Sequence, residues 1–293
     1  MIHRSIPVLL TLLLGSAAAR ADDAEIARLL REKGVKVTET KGAVTSVDAG
    51  DCSKWTEEDF KQIAQLAHLK MLSFGPGLGD ASLPLLSGLP ELEYLSTNLS
   101  LITDDGMKGF AGFKSLKSLK FFHPCKAFSG AGLAQLAELP NFERLTVAGS
   151  LAFNDEGMAA VGKLTRLKEF RSWHAGQTLE GVKKLKDLPN LQQLTLGQRL
   201  AYKPPTTLSD ETLAVLAEFK SLESLQLEEA RLKREALLQL KKLPGLKKLI
   251  LEGIDLPEAD VERLREDLPK VEIKWTKPSE IYMKRIQALF GTP

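Results

Sequence analysis

The sequence predicts an α/β solenoid with a concave parallel β-sheet and short convex helices, and three observations lead to this prediction. Apolar pairs recur every 23 to 26 residues along most of the chain, with one interval of 31 residues. Most units begin with a segment that is apolar at its first, fourth and sixth positions, as a half-buried strand requires, and continue with apolar residues at helical spacing. Stacked units of this kind share a continuous core that a single unit cannot form.

The first 21 residues have the three parts of a secretory signal peptide. Arg4 provides the basic start, an apolar run follows it, and Ala19 and Ala21 fit the A-x-A cleavage pattern. The apolar run is shorter than the roughly 20 residues that cross a bilayer, and no other stretch predicts a membrane span. We therefore expect cleavage near Ala21 and a mature protein that is secreted or periplasmic.

The repeat region is expected to span residues 44–275 in about ten units. The predicted starting points of the units are Val44, Leu69, Leu92, Leu116, Phe142, Leu167, Leu191, Leu222, Leu246 and Val271. Residue types that cap helices precede several helical stretches, as in Thr103-Asp104, Asn154-Asp155 and Ser209-Asp210. Leu-Pro pairs such as Leu139-Pro140 follow others, because the residue before a proline is disfavoured in a helix.

Both ends of the array need caps, because terminal repeats otherwise expose their apolar core. Residues 22–43 predict an N-terminal cap, in which a helix over 24–33 is followed by a short strand that turns back at Lys41-Gly42. Residues 276–293 predict a C-terminal capping helix that folds over the last repeat. Because that helix is amphipathic, docking to a partner is the alternative role.

The segments LKSLKF at 116–121, LQQLTL at 191–196 and LKKLIL at 246–251 share one strand pattern, and DDGM at 104–107 and DEGM at 155–158 share one turn pattern. In both patterns the units resemble the leucine-rich repeat family. The resemblance is to the 24-residue type of secreted bacterial proteins, although the asparagine common at position nine is missing. It implies a curved solenoid that binds other macromolecules.

The sequence contains no phosphate-binding loop, zinc-protease motif, nucleophile elbow or paired C-x-x-C. We weighed His123, Cys125 and His174 as a metal or catalytic site and set it aside, because no acidic ligand or orienting group completes it. Cys52 and Cys125 are three units apart, roughly 14 Å at the spacing of parallel strands, which is too far for a disulfide bond. We therefore predict no enzyme, metal or cofactor, with a hydrolase as the less favoured alternative.

The net charge argues against nucleic acid as a partner. The chain has 40 basic and 38 acidic residues, and Arg4 and Arg20 of the predicted signal peptide account for the difference. A mature protein without net charge is a poor candidate for binding nucleic acid through its phosphates.

The outward positions of the central strands are rich in aromatic and cationic residues, which are common in binding hot spots. The predicted concave binding patch consists of Tyr94, Lys120, Phe122, His123, Arg144, Arg171, Trp173 and His174. The alternative is a structural role, in which Arg144 and Arg171 pair with neighbouring glutamates and the aromatic rings lie under adjacent turns.

The 31-residue interval contains an insertion around residues 198–207. Insertions in repeat proteins form loops, often on the binding face. Arg199, Tyr202 and Lys203 would extend the aromatic and basic character of the patch.

Together these features predict a secreted, non-enzymatic scaffold that binds a protein partner through its concave face. Binding of an anionic envelope glycan and a structural role in the envelope are the alternatives. The sequence leaves the oligomeric state open.

Overall fold

The computed structural model describes residues 23–198 and 206–291. The predicted signal peptide lies outside these residues. The described chain forms one sheet in which the strands follow each other in sequence order. The strands are β1 Lys36–Thr40, β2 Ala43–Asp48, β3 Met71–Phe74, β4 Tyr94–Asn98, β5 Ser118–Phe122, β6 Arg144–Ala148, β7 Glu169–Trp173, β8 Gln193–Gly197, β9 Ser224–Glu228, β10 Lys248–Glu252 and β11 Glu272–Thr276. Only the β1–β2 pair among them is antiparallel.

Short helices connect the parallel strands. The α-helices are α1 over 23–32, α2 Glu57–Ala64, α3 Asp155–Val161, α4 Leu179–Lys183, α5 Asp210–Leu216, α6 Arg234–Leu237, α7 Glu258–Asp267 and α8 Glu280–Phe290. Four 3₁₀ helices in the described residues complete the set, at Pro84–Leu86, Asp105–Gly112, Ala131–Glu138 and Leu238–Lys242. This alternation of parallel strands and short helices confirms the predicted fold class.

The core lies between the sheet and these helices. At the fourth position of successive units, Leu95, Leu119 and Leu145 are aligned on adjacent strands and buried. The sixth positions also point inward, although Thr97 and Ser172 are polar there. The period of two residues in the sequence therefore predicted correctly which side of each strand is buried.

The last unit starts one residue earlier than predicted. The structure aligns Leu249 of β10 with Ile273 and places Trp275 at the next inward position, so the unit begins at residue 270 and not at Val271. Trp275 is half-buried, and its indole nitrogen donates a hydrogen bond to the carbonyl oxygen of Ile254 at 2.9 Å. Val271 also packs against the core, which explains why the apolar pattern placed the start there.

Aspartates at the start of several helical stretches link a unit to the next one. Asp80 accepts hydrogen bonds from the backbone nitrogen of Thr103 at 2.8 Å and from its hydroxyl at 2.7 Å. Asp155 accepts the same two bonds from Thr178, both at 2.7 Å. A Cβ atom on Gly106 would overlap Asp80 Oδ1. The glycine of the D-x-G turn therefore makes room for the aspartate of the preceding unit.

This linkage differs in part from the predicted helix capping. Asn154 does cap α3, since its Oδ1 accepts a hydrogen bond from the backbone nitrogen of Glu156 at 2.9 Å. Asp104, by contrast, accepts hydrogen bonds from Ser129 and the residues after it in the following unit. The sequence pattern was correct about the residue type, but a local capping rule cannot identify a partner 25 residues away.

The two ends of the solenoid are covered differently. At the N-terminal end, the apolar face of α1 is buried and Asp23 accepts a hydrogen bond from the backbone nitrogen of Val44 at 2.9 Å. At the other end, α8 follows β11 and folds back towards the preceding units. Arg231, which follows β9, donates a hydrogen bond to the carbonyl oxygen of Gly291 at 2.6 Å, and Ile286 is fully buried. The predicted C-terminal cap therefore contacts units other than the last one.

Candidate functional site

The structure places the eight predicted patch residues on or directly after four neighbouring strands. Tyr94 lies on β4, Lys120 and Phe122 on β5, Arg144 on β6, and Arg171 and Trp173 on β7. His123 and His174 immediately follow β5 and β7. All eight are at least partly exposed, and they alternate with the buried residues of their strands. They therefore share the concave face.

The centre of this face is a pair of aromatic rings. The ring centroids of Phe122 and Trp173 are 6.1 Å apart, with the planes inclined at 58°. Ala148 separates them on β6, and its small side chain allows the two rings to meet across the intervening strand. Arg171 Cζ lies 5.7 Å from the centroid of the Trp173 ring, within the range of a cation–π contact. These three half-buried side chains form one cluster of mutual contacts.

Gly197 on β8 supports the position of the indole. A Cβ atom at this residue would overlap the Cβ of Trp173, and it would lie 3.3 Å from Glu228 Oε2. Only a glycine therefore leaves Trp173 in its observed place.

In the alternative structural role, Arg144 and Arg171 pair with neighbouring glutamates. Arg171 has only a marginal ion pair of this kind, and Arg144 has none among the described residues. Arg171 Nε lies 4.0 Å from Glu169 Oε1, at the limit of an ion pair. Arg144 donates a hydrogen bond to the hydroxyl of Tyr94 at 3.1 Å. Glu93 and Glu143, the other expected partners, pair instead with Lys117 and Lys168. Within the described chain, Arg144 thus has a phenol partner and no carboxylate.

The two histidines form separate contacts and do not converge on one site. His123 Nδ1 lies 3.1 Å from Asn98 Oδ1, and His174 Nε2 lies 2.9 Å from Glu229 Oε2. The hydrogen bond to Glu229 raises the pKa of His174 above its usual value, while burial opposes that change. Among residues 23–198 and 206–291, no three histidine, cysteine, aspartate or glutamate side chains are grouped in a way that suits a metal ion.

Both cysteines are free thiols that donate to backbone carbonyl groups of adjacent units. Cys52 Sγ lies 3.1 Å from the oxygen of Pro76, and Cys125 Sγ lies 3.2 Å from that of Ile102. Burial raises the pKa of the Cys52 thiol to about 11. Since the thiolate is the nucleophilic form, this environment does not favour covalent catalysis by Cys52.

The predicted patch leaves out an acidic group on the same face, although Glu228 was among the predicted outward residues. Glu228 on β9 and Glu252 on β10 lie side by side in the register. The amide nitrogen of Gln226 donates to both carboxylates, at 2.7 Å and 3.1 Å. Burial, followed by the charge of Glu252, raises the pKa of Glu228. These glutamates occupy the position of Phe122 and Trp173 in their own units, so a search of that position for charge as well as for aromatic rings would have found them.

A second missed feature is a shallow hollow over β2 to β5, with a volume of about 220 Å³. Its surface includes the hydroxyl-bearing residues Ser46, Ser73, Ser96 and Ser118, together with Tyr94, Lys120 and Phe122. Met71 also lines it and is 52% exposed. The hollow extends the aromatic patch towards the N-terminal units.

The predicted loop residues Arg199, Tyr202 and Lys203 lie outside the described residues. The structure does describe the two ends of the insertion. Gln198 is buried, and its side-chain oxygen accepts hydrogen bonds from the backbone nitrogens of Thr207 at 3.0 Å and Leu208 at 2.9 Å. Because one side chain holds both ends together, the insertion starts and finishes beside the end of β8.

The described part of the chain contains no helix of the length and hydrophobicity needed to span a membrane. No family model matches the sequence, and no curated protein sequence matches it.

Solved structures of similar shape share little sequence identity with the chain. An internalin (inlF) from Listeria monocytogenes is 15% identical, with 88% of this chain and 96% of that chain covered and a TM-score of 0.46. The Arabidopsis receptor kinase HAESA ectodomain, solved with an IDA peptide hormone ligand, is 17% identical, with 82% and 42% covered and a TM-score of 0.48. Internalin C2 of Listeria monocytogenes is 16% identical, with 75% and 84% covered and a TM-score of 0.41.

The chain itself has successive parallel strands at intervals of about 24 residues, aligned leucine ladders and short connecting helices. The protein has the fold of a leucine-rich-repeat solenoid.

Proposed function

We propose that this protein is a secreted, non-enzymatic scaffold that binds a protein partner through the concave face of β4 to β7. The observation that supports the proposal most strongly is the contact between Phe122 and Trp173, flanked by Arg171. Large aromatic and arginine side chains that are partly buried at the centre of a surface are typical of interface hot spots. Their neighbours Lys120 and Arg144 provide cations for charge-assisted hydrogen bonds to a partner.

The proposal favours a protein over an anionic glycan because of the acidic residues on the same face. Glu228 and Glu252 lie on β9 and β10, two and three strands from Trp173. A polyanion that follows the concave face would meet these carboxylates, and like charges repel. A protein surface can place carboxylates and cations separately and so fit both regions.

Site-specific crosslinking tests the proposal directly. A photoreactive phenylalanine analogue would replace Tyr94 or Phe122 in the concave face, and Lys108 or Lys163 on the helical side as controls. Both lysines are exposed and form no side-chain hydrogen bond or ion pair with other described residues. In the native extracellular fraction, the concave probes are expected to give a discrete protein adduct that the control probes do not give.

Three other results would contradict parts of the proposal. Equal adducts from both sides would contradict a concave site. A purely glycan adduct would identify the anionic glycan as the ligand, and an adduct only with a second copy of the chain would support a structural assembly. Secretion is tested separately by N-terminal sequencing of the exported protein, which is expected to start near Asp22.

A further inference from the structure

The concave face is divided by charge along its length, and this division suggests what kind of segment it binds. We define the concave strip as Lys120, Phe122, Arg171, Trp173, Glu228 and Glu252. The cations of the strip lie on β5 and β7 and the carboxylates on β9 and β10. Phe122, Trp173, Glu228 and Glu252 are each the last residue of their strand, so they form one line across the sheet.

The part of the sheet surface between the cationic and the acidic end of the strip is formed by small, uncharged residues. Ala148 and Gly197 occupy the same line on β6 and β8. Both are buried, Ala148 under the aromatic pair and Gly197 under the Trp173 side chain. A ligand that follows the line therefore meets aromatic surface before it reaches the carboxylates.

The carboxylates at the far end are only partly compensated by cations of the described residues: the charge of Arg171 acts on Glu228 and lowers its pKa. Gln226 is a neutral donor to both, and neither Glu228 nor Glu252 lies within ion-pair distance of a described lysine or arginine. Burial, followed by repulsion from Glu252 and Glu229, outweighs the effect of Arg171, so the pKa of Glu228 is raised. Beside this end lies α8, where Glu229 and Glu252 both raise the pKa of the Tyr282 phenol.

We propose that the concave strip binds an extended protein segment of mixed charge. An acidic residue of that segment contacts Arg171, and a basic residue of the segment contacts Glu228 and Glu252. This inference rests on the proposed function and specifies the chemistry of the partner. Charge complementarity at a fixed separation specifies this kind of segment, since neither end alone would identify a ligand.

The separation can be estimated from sheet geometry. Arg171 on β7 and Glu252 on β10 are three strands apart, about 14 Å at the usual spacing of strands. An extended chain advances about 3.3 Å per residue, so this distance corresponds to about four residues. The two charged residues of the segment should therefore lie about three to five positions apart.

Selection from a phage-displayed library of random dodecapeptides tests this inference without a known partner. Three proteins would be used: the wild type, an Arg171→Ala/Trp173→Ala variant and a Glu228→Gln/Glu252→Gln variant. Peptides that bind the wild type and not the Arg171/Trp173 variant are expected to contain an acidic and a basic residue three to five positions apart. The glutamine variant is expected to retain the acidic preference and lose the basic one.

The affinities of one selected peptide complete the test. Replacing its basic residue with norleucine is expected to weaken binding to the wild type by about tenfold and to leave binding to the glutamine variant nearly unchanged. A Glu138→Gln/Glu156→Gln variant is the matched control, because both residues are exposed on the helical side, and it should behave like the wild type.

The outcomes separate this inference from the proposed function. If no peptide depends on Arg171 and Trp173, the proposed concave site is wrong. If dependent peptides appear but show no preference for a basic residue, the site stands and the mixed-charge inference is overturned. An equal loss of affinity in the matched control variant would also overturn it.

Discussion

Phe122 and Trp173 are in contact although a complete strand separates them. Their ring centroids are 6.1 Å apart, and Ala148 is the residue between them in the sheet register. The contact therefore depends on a small residue in the middle unit as well as on the two rings. This combination explains how a solenoid surface with few aromatic residues forms one continuous apolar centre.

The first prediction concerns the energy of this contact. In a double-mutant cycle with Phe122→Ala and Trp173→Ala, we expect a coupling of about 0.5–1.5 kcal/mol, as is usual for aromatic pairs. Urea unfolding of the four proteins measures the coupling. Strictly additive effects would show that the rings do not interact in solution.

The second prediction concerns Gly197. Its replacement with alanine would place a Cβ atom against the Cβ of Trp173, so the indole or the strand must shift. We expect a loss of stability of about 1–3 kcal/mol, typical of overpacking. The control is Gly88→Ala, where the nearest atom to the new Cβ would be the Ala64 oxygen at 3.7 Å. Similar unfolding midpoints for the two variants would argue against the observed position of Trp173.

The third prediction concerns the aspartates that link the units. The carboxylate of Asp104 accepts hydrogen bonds of 2.7 to 3.0 Å from the Ser129 hydroxyl and from the backbone nitrogens of Ser129, Gly130 and Gly132. Asp104→Ala leaves these donors without their acceptor and is expected to cost about 2–4 kcal/mol. The neighbouring Asp105 is exposed, so Asp105→Ala should change stability by less than about 0.5 kcal/mol. Denaturant titration of both variants tests the difference, and equal costs would refute the linkage.

The fourth prediction concerns the pH dependence that His174 causes. The hydrogen bond from His174 to Glu229 raises the pKa of the imidazole above its ordinary value of 6.5. The protonated histidine is thus favoured in the folded state, and its contribution is complete below about pH 6.5 and is lost as the pH rises through the folded pKa. The stability advantage of the wild type over His174→Gln should therefore shrink between about pH 6 and pH 9. An advantage that grows over this range would have the wrong sign.

The fifth prediction concerns Glu228, whose raised pKa has the opposite consequence. Burial and the nearby Glu252 disfavour its ionised form in the folded protein. Above the ordinary pKa of 4.5, the unfolded state loses its proton more readily, so stability falls as the pH rises towards the folded pKa. Glu228→Gln should consequently be more stable than the wild type at pH 7, by more than at pH 4. Thermal unfolding at the two pH values measures this, with Glu138→Gln as the exposed control.

The repeat pattern was sufficient to predict the fold because every unit buries apolar residues at the same positions. Leu95, Leu119 and Leu145 occupy the same inward position in successive units. The register predicted for one unit can therefore be checked against the units on either side of it. The last unit lacks a following neighbour, and there the predicted register was wrong by one residue at Val271.

The candidate site was predictable only in part. The position of each residue within its repeat unit identified Tyr94, Phe122, Arg171 and Trp173 as outward residues. It could not show which side chains contact each other across strands. The partner of Arg144 illustrates this: the hydroxyl of Tyr94 lies 50 residues away in sequence. Local spacing does not contain such information, because it depends on side-chain conformation and on the curvature of the sheet.

If the concave face binds a protein, the affinity for that protein must depend on the residues of this face. The dissociation constant of the crosslinked partner would be measured for the wild type, for Arg171→Ala/Trp173→Ala and for Lys108→Ala/Lys163→Ala. Loss of a hot-spot pair is expected to weaken binding by at least about thirtyfold, which corresponds to roughly 2 kcal/mol, while the lysine control should bind like the wild type. Unchanged affinity in the Arg171/Trp173 variant, with its fold intact, would contradict the account.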